Sequence, residues 1–169
     1  RMMSTINLAG CRGQLLTGDA NLTAAVPNAA RVLLAADAYG GSSRCVDLAV
    51  EYAMTREQFG VPIGAFQAIK HQLADMDMAT EPAQGLYWYA AHVFDREPTE
   101  ALKYAALAKA HITERYVEVA RRLIEVYGGI GFTWECDAHL FVKRAVLDRQ
   151  HFGLPRTLRR IVARASGWR

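Results

Sequence analysis

The sequence predicts an all-α fold: an antiparallel up-and-down four-helix bundle, preceded by a short irregular or β segment. Two observations support this prediction. Apolar residues recur every three or four positions over most of the chain, and clusters of glycine and proline divide that pattern into long segments. Long helices joined by short turns pack as antiparallel neighbours. Residues 1–22 lack this periodicity and are rich in Gly, Thr and Asn, so we expect strand ends and loops there and one helical domain over 23–169.

The first predicted helix begins near residue 24 and ends before Gly60 and Pro62, which interrupt the helical pattern. The residues of its apolar stripe are Ala30, Leu34, Ala38, Gly41, Cys45, Leu48 and Tyr52.

The second helix spans about 66–94, and Glu81-Pro82 inside it predicts a kink rather than an end. Its stripe consists of Phe66, Ile69, Leu73, Met76, Thr80, Ala83, Tyr87, Ala90 and Phe94.

The third helix follows a break at 95–99, in which Pro98 suits a first helical turn, and Gly128-Gly129 ends it. Its stripe consists of Leu102, Ala105, Ile112, Tyr116, Val119, Leu123 and Val126. A fourth helix is predicted over about 135–151 and a shorter one over about 155–166.

The composition excludes several classes of protein. With 51% hydrophobic and 22% charged residues among 169, the chain is typical of a globular domain with a sizeable core. Since no apolar run approaches the roughly 20 residues of a membrane helix, we expect no membrane span. The net charge is only +3. The arginines near the C-terminus are interpreted as a solvated helix face, so we expect no nucleic-acid partner.

The cysteines and histidines suggest neither a disulfide framework nor a metal site. The three cysteines are odd in number and widely separated, and the five histidines lack the paired spacing of metal ligands. We therefore expect reduced thiols, no metal and a cytoplasmic location. No apolar signal-peptide core follows Arg1, and the absence of methionine at position 1 indicates a piece of a longer protein.

Two sequence blocks carry a family resemblance. "REQFGVPIGAFQAIKHQLADM", residues 56–76, resembles the Arg-x-x-Phe-Gly, Pro-Ile, Phe-Gln, Ala-Asp-Met pattern of the C-terminal helical domain of acyl-CoA dehydrogenases. "EVYGGIGFTWE", residues 125–135, resembles the family's Gln-x-x-Gly-Gly-x-Gly-Phe/Tyr segment. The spacing between the blocks also agrees, and the resemblance covers roughly residues 24–153. It makes residues 1–22 the end of the family's middle β-domain, with the preceding domains absent from this sequence.

The resemblance implies FAD as cofactor and assigns residues to it. In this family the arginine before the turn and the glutamine after it bind the FAD of the neighbouring subunit, which corresponds to Arg56 and Gln67. A guanidinium suits a pyrophosphate because it offers forked donors. The competing interpretation is that Arg56 only complements a helix dipole and that Gln67 is a solvated first-turn residue.

The third FAD-binding segment implied by the resemblance consists of Glu125, Val126, Tyr127, Gly128 and Gly129. Its glycines would let the backbone approach the cofactor closely. Glu125 departs from the family, which usually has glutamine there, and a carboxylate is repelled by an anionic cofactor.

The catalytic base of the family is missing. The resemblance places that Glu at one of two positions, which here are Phe152, in "QHFGLP", and Ala30, in "NAARVLL". Neither side chain can accept a proton, so we assign no catalytic residue. His151 is the alternative base that flanks Phe152, although a surface histidine is the simpler interpretation. Glu135 is instead expected in the first turn of the fourth helix.

The resemblance therefore implies part of an FAD-dependent acyl-CoA dehydrogenase that desaturates an acyl-CoA thioester. The stretch "WECDAHLFVKRAVLDRQHFG" resembles the actinobacterial branch, some of whose members are α₂β₂ heteromers acting on fatty acyl or steroid thioesters. A homo- or hetero-oligomer with similar chains is expected, and an electron-transferring flavoprotein is the implied electron acceptor. The alternatives are a structural subunit without flavin and a related flavin enzyme, such as an acyl-CoA oxidase, which would also need a base.

Overall fold

In residues 4–15 and 18–168, which a computed structural model describes, six α-helices form most of the structure. Their bounds are α1 Ala20–Thr55, α2 Gln67–Thr80, α3 Ala83–Arg96, α4 Pro98–Tyr127, α5 Ala138–Gln150 and α6 Pro155–Ala165. Two-residue strands, β1 Glu57–Gln58 and β2 Val61–Pro62, pair antiparallel between α1 and α2. Short 3₁₀ segments span Ile63–Ala65 and Gly128–Phe132. The all-α prediction is confirmed.

The helices form an antiparallel bundle in which α2 and α3 together make one of four limbs. α1 and α4 run in the same direction, because Tyr52 and Tyr127 stack at their C-terminal ends with ring centroids 4.2 Å apart. α5 runs opposite to α1, since Arg144 pairs with Asp37 while Arg31 reaches Phe152 further along.

α4 is the central helix and contacts α1, α2, α3, α5 and α6. Its buried stripe includes Ile112, Tyr116 and Leu123, which belong to the main core cluster. α6 packs on the opposite flank of α4 through a smaller cluster centred on Leu158. Because it contacts five other helices, α4 carries the largest share of the buried residues.

Several predicted boundaries needed correction. α1 begins at Ala20 rather than near 24 and runs through Pro27, although its first turns have few buried residues. The predicted second helix is divided into α2 and α3 at Glu81-Pro82. Both of those residues keep right-handed helical dihedrals. The helical path is therefore bent rather than ended there, and the hydrogen-bond ladder is interrupted because proline has no amide hydrogen. Leu102, predicted to lie in the core stripe, is exposed instead.

The start of α5 was also predicted too early. The helix begins at Ala138, with Asp137 as its N-cap residue. Glu135 is therefore not a first-turn acid, because it lies in the turn before the helix. The physical reason is that the chain after Gly129 first forms a 3₁₀ segment and a turn, which use up the residues that would have been the first helical positions.

The described residues before α1 are exposed and contain turn and coil but no strand. The predicted strand ends are therefore not found at residues 4–15 and 18–19. The parts of that prediction that fall on 1–3 and 16–17 lie outside the described residues. The irregular character predicted for the N-terminal segment agrees with what is described.

Candidate functional site

One end of the bundle gathers the residues predicted to bind the cofactor. The C-terminal end of α1, the N-terminal end of α2 and the C-terminal end of α4 meet there. Gln72 in α2 donates a hydrogen bond to Glu125 in α4 over 2.9 Å. Arg56, Gln67 and the 125–129 segment therefore share one end of the molecule, which we call the cofactor end.

A β-hairpin connects Arg56 to Gln67 and was not predicted as such. β1 and β2 are joined by the two residues Phe59 and Gly60, whose φ angles of +56° and +81° match a type I′ turn. The base of the hairpin is closed by a 2.8 Å hydrogen bond from the Ile63 amide to the Arg56 carbonyl. The backbone of Arg56 is thus held, while its side chain is exposed.

Phe59 is unusual in two respects. It is 94% exposed and has a left-handed backbone, a conformation that costs an L-residue with a large side chain roughly 1–2 kcal/mol. Its ring meets only the edge of another partly exposed aromatic, Phe66, at a centroid distance of 6.1 Å. Strain of this kind is characteristic of binding surfaces, where a ligand or partner makes use of the strained residue.

The start of α2 can receive an anion. Its N-cap residue is Phe66, whose side chain makes no capping bond, although its carbonyl accepts hydrogen bonds from the amides of Ile69 and Lys70. Gln67 is the first residue of the helix and is exposed. Within the described part of the chain, no side-chain hydrogen bond or ion pair engages Arg56. A helix N-terminus without a side-chain cap favours a phosphate-like group, and so does a guanidinium that has no such partner.

The 125–129 segment contributes mainly backbone. The side chain of Val126 is buried in the core, and the Tyr127 ring stacks on Tyr52. Gly128 has a φ of +65°, and the space where a Cβ would lie at Gly128 or Gly129 is open. The exposed glycine backbone therefore remains accessible to a bound group.

Glu125 is partly neutralised within the chain itself. Its carboxylate accepts the bond from Gln72 and lies near Arg122, whose pKa is raised by its hydrogen bond to Asp75 and by the neighbouring carboxylates of Glu118, Asp75 and Glu125. The repulsion between the Glu125 carboxylate and an anionic cofactor is thereby reduced.

The two family base positions converge. Arg31, next to Ala30, donates from Nε to the Phe152 carbonyl over 3.1 Å, although the two residues are 121 positions apart. Phe152 is 48% exposed and has a left-handed backbone with a φ of +51°. Ala30 and Phe152 are apolar, so neither of these neighbouring positions supplies a carboxylate. His151, the alternative base, is the C-cap residue of α5.

An apolar pocket of about 540 Å³ opens near this turn, between the start of α1 and the junction of α3 with α4. Its lining residues are Leu22, Ala24, Ala25, Asn28, Phe94, Pro98, Thr99, Ala101 and Leu102. Asn28 is buried and accepts a 2.8 Å hydrogen bond from Arg31, which links the pocket wall to the turn at Phe152.

Lys109 is a feature of the turn that sequence reasoning missed. It is fully buried and donates to the carbonyls of Arg149, at 2.8 Å, and Gly153. Burial, together with the charges of Arg31 and Arg149, lowers its pKa to about 8. A signal did exist, because position 109 falls on the apolar stripe of α4 between Ala105 and Ile112.

The turn at Phe152 and the cofactor end are distant from each other. Arg31 contacts the turn, and Arg56 follows the last residue of α1. Their separation of 25 positions corresponds to roughly 37 Å at the helical rise. Reacting groups must come within about 3–3.5 Å of each other. The two regions of one chain therefore cannot both contact the same reacting atoms.

The described residues hold no group of three or more His, Cys, Asp or Glu side chains that could bind a metal ion. Nor does any helix in the same part of the chain combine the length and apolar character that a membrane crossing requires.

Comparison with known proteins identifies the family. Residues 21–167 match the family model described as "Acyl-CoA dehydrogenase, C-terminal domain". Acyl-CoA dehydrogenase IpdE2 of Mycolicibacterium smegmatis is 41% identical over 135 residues, which cover 79% of this chain and 42% of IpdE2. This similarity confirms the resemblance to actinobacterial members of the family.

Solved structures of related proteins contain the same fold. Butyryl-CoA dehydrogenase from Megasphaera elsdenii superposes with a TM-score of 0.79 at 28% identity, covering 83% of this chain and 36% of that one. A structure described as an FAD-dependent dehydrogenase gives a TM-score of 0.83 at 29% identity, covering 89% and 40%. The chain thus spans about two fifths of the length of these proteins. From the bundle, the two motif blocks and the matched span, we conclude that the chain belongs to the acyl-CoA dehydrogenase family, as its C-terminal helical domain.

Proposed function

We propose that this chain is part of an FAD-dependent acyl-CoA dehydrogenase and completes the FAD site of a partner chain without supplying the catalytic base. The observation that carries the proposal is the contrast between the two ends of α1. The cofactor end offers an exposed arginine, a helix start without a side-chain cap and open glycine backbone. By contrast, neither Ala30 in α1 nor Phe152 in the turn after α5 offers a proton acceptor at the family positions.

The residues of the cofactor end fit the phosphate-bearing part of FAD. Arg56 would donate forked hydrogen bonds to the pyrophosphate, and Gln67 would add amide donors at the start of α2. Gly128 and Gly129 would let the 125–129 backbone approach the cofactor. When bound, FAD supplies a hydride acceptor for the β-carbon of an acyl thioester.

The partner chain would supply the base. Removal of the α-proton of the thioester requires a carboxylate within hydrogen-bonding reach. We therefore assign that Glu, and with it the acyl-CoA substrate, to a second acyl-CoA dehydrogenase-like chain in a heteromer, with an electron-transferring flavoprotein as the electron acceptor. As the family resemblance implies, we also assign residues 1–22 to the end of a middle β-domain.

A structural subunit without flavin is the second candidate. Leu154 and Pro155 stand where the family has Thr and Ser, and they are used as the N-cap and first residue of α6. Glu125 adds a carboxylate to the cofactor end. These features favour assembly over cofactor binding, whereas the unengaged Arg56 side chain favours the first proposal.

Visible absorption spectra test the proposal. The chain is purified alone and after co-expression with an acyl-CoA dehydrogenase chain that carries the family Glu. We expect flavin in the co-purified complex and none in the chain alone. We also expect an acyl-CoA to bleach the flavin of the complex. Bleaching by the chain alone would contradict the missing base, and a co-purified complex whose flavin content equals that of the partner alone would support the structural subunit.

A further inference from the structure

The turn between α5 and α6, residues 151–154, is tethered by two cations from other helices. We propose that Lys109 and Arg31 are positioning residues that lock this turn and so hold position 152 in place relative to α1. The importance of position 152 as a base position of the family rests on the proposed function, but the tethering itself requires no cofactor.

Lys109 acts from the inside of the bundle. Its ammonium reaches from α4 to the carbonyl of Arg149, in the last turn of α5, and to the carbonyl of Gly153, beyond the end of that helix. The last carbonyls of a helix have no partner within the helix and carry a partial negative charge. One buried ammonium thereby joins the end of α5 to the turn that follows it.

Arg31 acts from α1 on the residue between those two carbonyls. Its Nε donates to the Phe152 carbonyl, while its Nη1 donates to Asn28, which fixes the guanidinium against its own helix. Carbonyls at positions 149, 152 and 153 are thus all held by cations of α1 and α4. Two tethers from two different helices restrict the translation of the turn as well as its rotation.

The backbone held in this way is one that the chain would not readily adopt unaided. Phe152 and Gly153 have φ angles of +51° and +113°. A Cβ at Gly153 would lie only 2.9 Å from Leu158 Cδ2, so the turn is pressed closely against α6. Left-handed backbone at a phenylalanine persists only where the surroundings over-determine it, and the two cations supply that constraint.

Residue-resolved amide hydrogen exchange on the full chain tests this inference. In Lys109→Met we expect at least tenfold faster exchange of the amides of residues 148–151 and of Leu158, because these hydrogen bonds flank the released turn. Amides in the middle of α4 should change less than threefold. Lys103→Met is the matched control, since Lys103 lies on the same helix but pairs with Glu100 near the surface, and it should change neither set.

Arg31→Met provides a second variant with the same expected local increase, and it carries the test alone should Lys109→Met not fold. Unchanged exchange around the turn would overturn the proposal. So would an equal increase throughout the bundle, because that result would mean that Lys109 serves general stability and not the position of the turn. Neither result depends on flavin binding, so this test can fail while the proposed function stands.

Discussion

Lys109 places an ammonium group in the interior of the bundle, where burial disfavours the charged form. The surrounding charges include two cations, Arg31 from α1 and Arg149 from α5, against one carboxylate, Asp148. Two backbone carbonyls compensate the ammonium. A buried lysine at this position therefore has a cost in stability that is consistent with a specific task for its two hydrogen bonds.

The lowered pKa of Lys109 predicts a pH dependence. With a pKa of about 8 in the folded chain and the ordinary lysine pKa of 10.5 when unfolded, the unfolded state binds more protons between those two pH values. The free energy of unfolding should therefore rise with pH across this window relative to that of Lys109→Met, by roughly 1–3 kcal/mol. Urea unfolding of both proteins at pH 7, 8, 9 and 10 checks the difference. A constant difference would mean that the lysine titrates alike in both states.

The packing of α1 on α4 depends on Gly41, whose neighbour Gly40 has the opposite surroundings. A Cβ at Gly41 would overlap the buried ring of Tyr116, whereas a Cβ at Gly40 would enter open space on the same helix. Gly41 thus permits the close approach of the two helices. Gly40 has no such role in the described structure.

Alanine at these two positions should shift stability in opposite directions. Gly41→Ala should destabilise the chain by about 1–2 kcal/mol, because overpacking outweighs the gain in helix propensity. Gly40→Ala should stabilise it by about 0.5–1 kcal/mol, because only the propensity gain remains. Thermal or urea unfolding measures both variants. Effects of the same sign would show that the contact between Gly41 and Tyr116 does not limit the approach of the helices.

Element boundaries were predictable where a local signal sets them. Pro98 begins α4 and Gly128 follows its last residue, as the sequence indicated. The hairpin was not predictable, because it depends on a left-handed Phe59 that no residue propensity suggests. The late start of α5 depends on the turn at residues 133–137, which no local sequence signal separates from the start of the helix. Tertiary packing decides such cases.

At the scale of the whole molecule, the sequence predicted the bundle, but not how its two candidate functional regions are related. Periodicity determines which face of each helix is buried and says nothing about which turns meet. That Arg31, the neighbour of Ala30 in the sequence, contacts the Phe152 carbonyl is visible only in three dimensions. So is the distance from that turn to Arg56, which supports the assignment of the two regions to different sites.

The central claim is that Arg56 binds FAD in a site completed between two chains. The most direct measurement is the flavin-to-protein absorbance ratio of the co-expressed complex, compared between the wild type, Arg56→Ala and Arg44→Ala. Arg44 is the matched control, an exposed arginine of α1 whose ion pairs with Asp47 and Glu51 lie at the surface.

The account predicts that Arg56→Ala weakens FAD binding about tenfold or more, which is the loss expected for one charge-assisted hydrogen-bonding group. Complex formation should persist in this variant, and Arg44→Ala should retain its flavin. Flavin occupancy of the Arg56→Ala complex equal to that of the wild type, measured at FAD concentrations near the wild-type dissociation constant, would contradict the central claim.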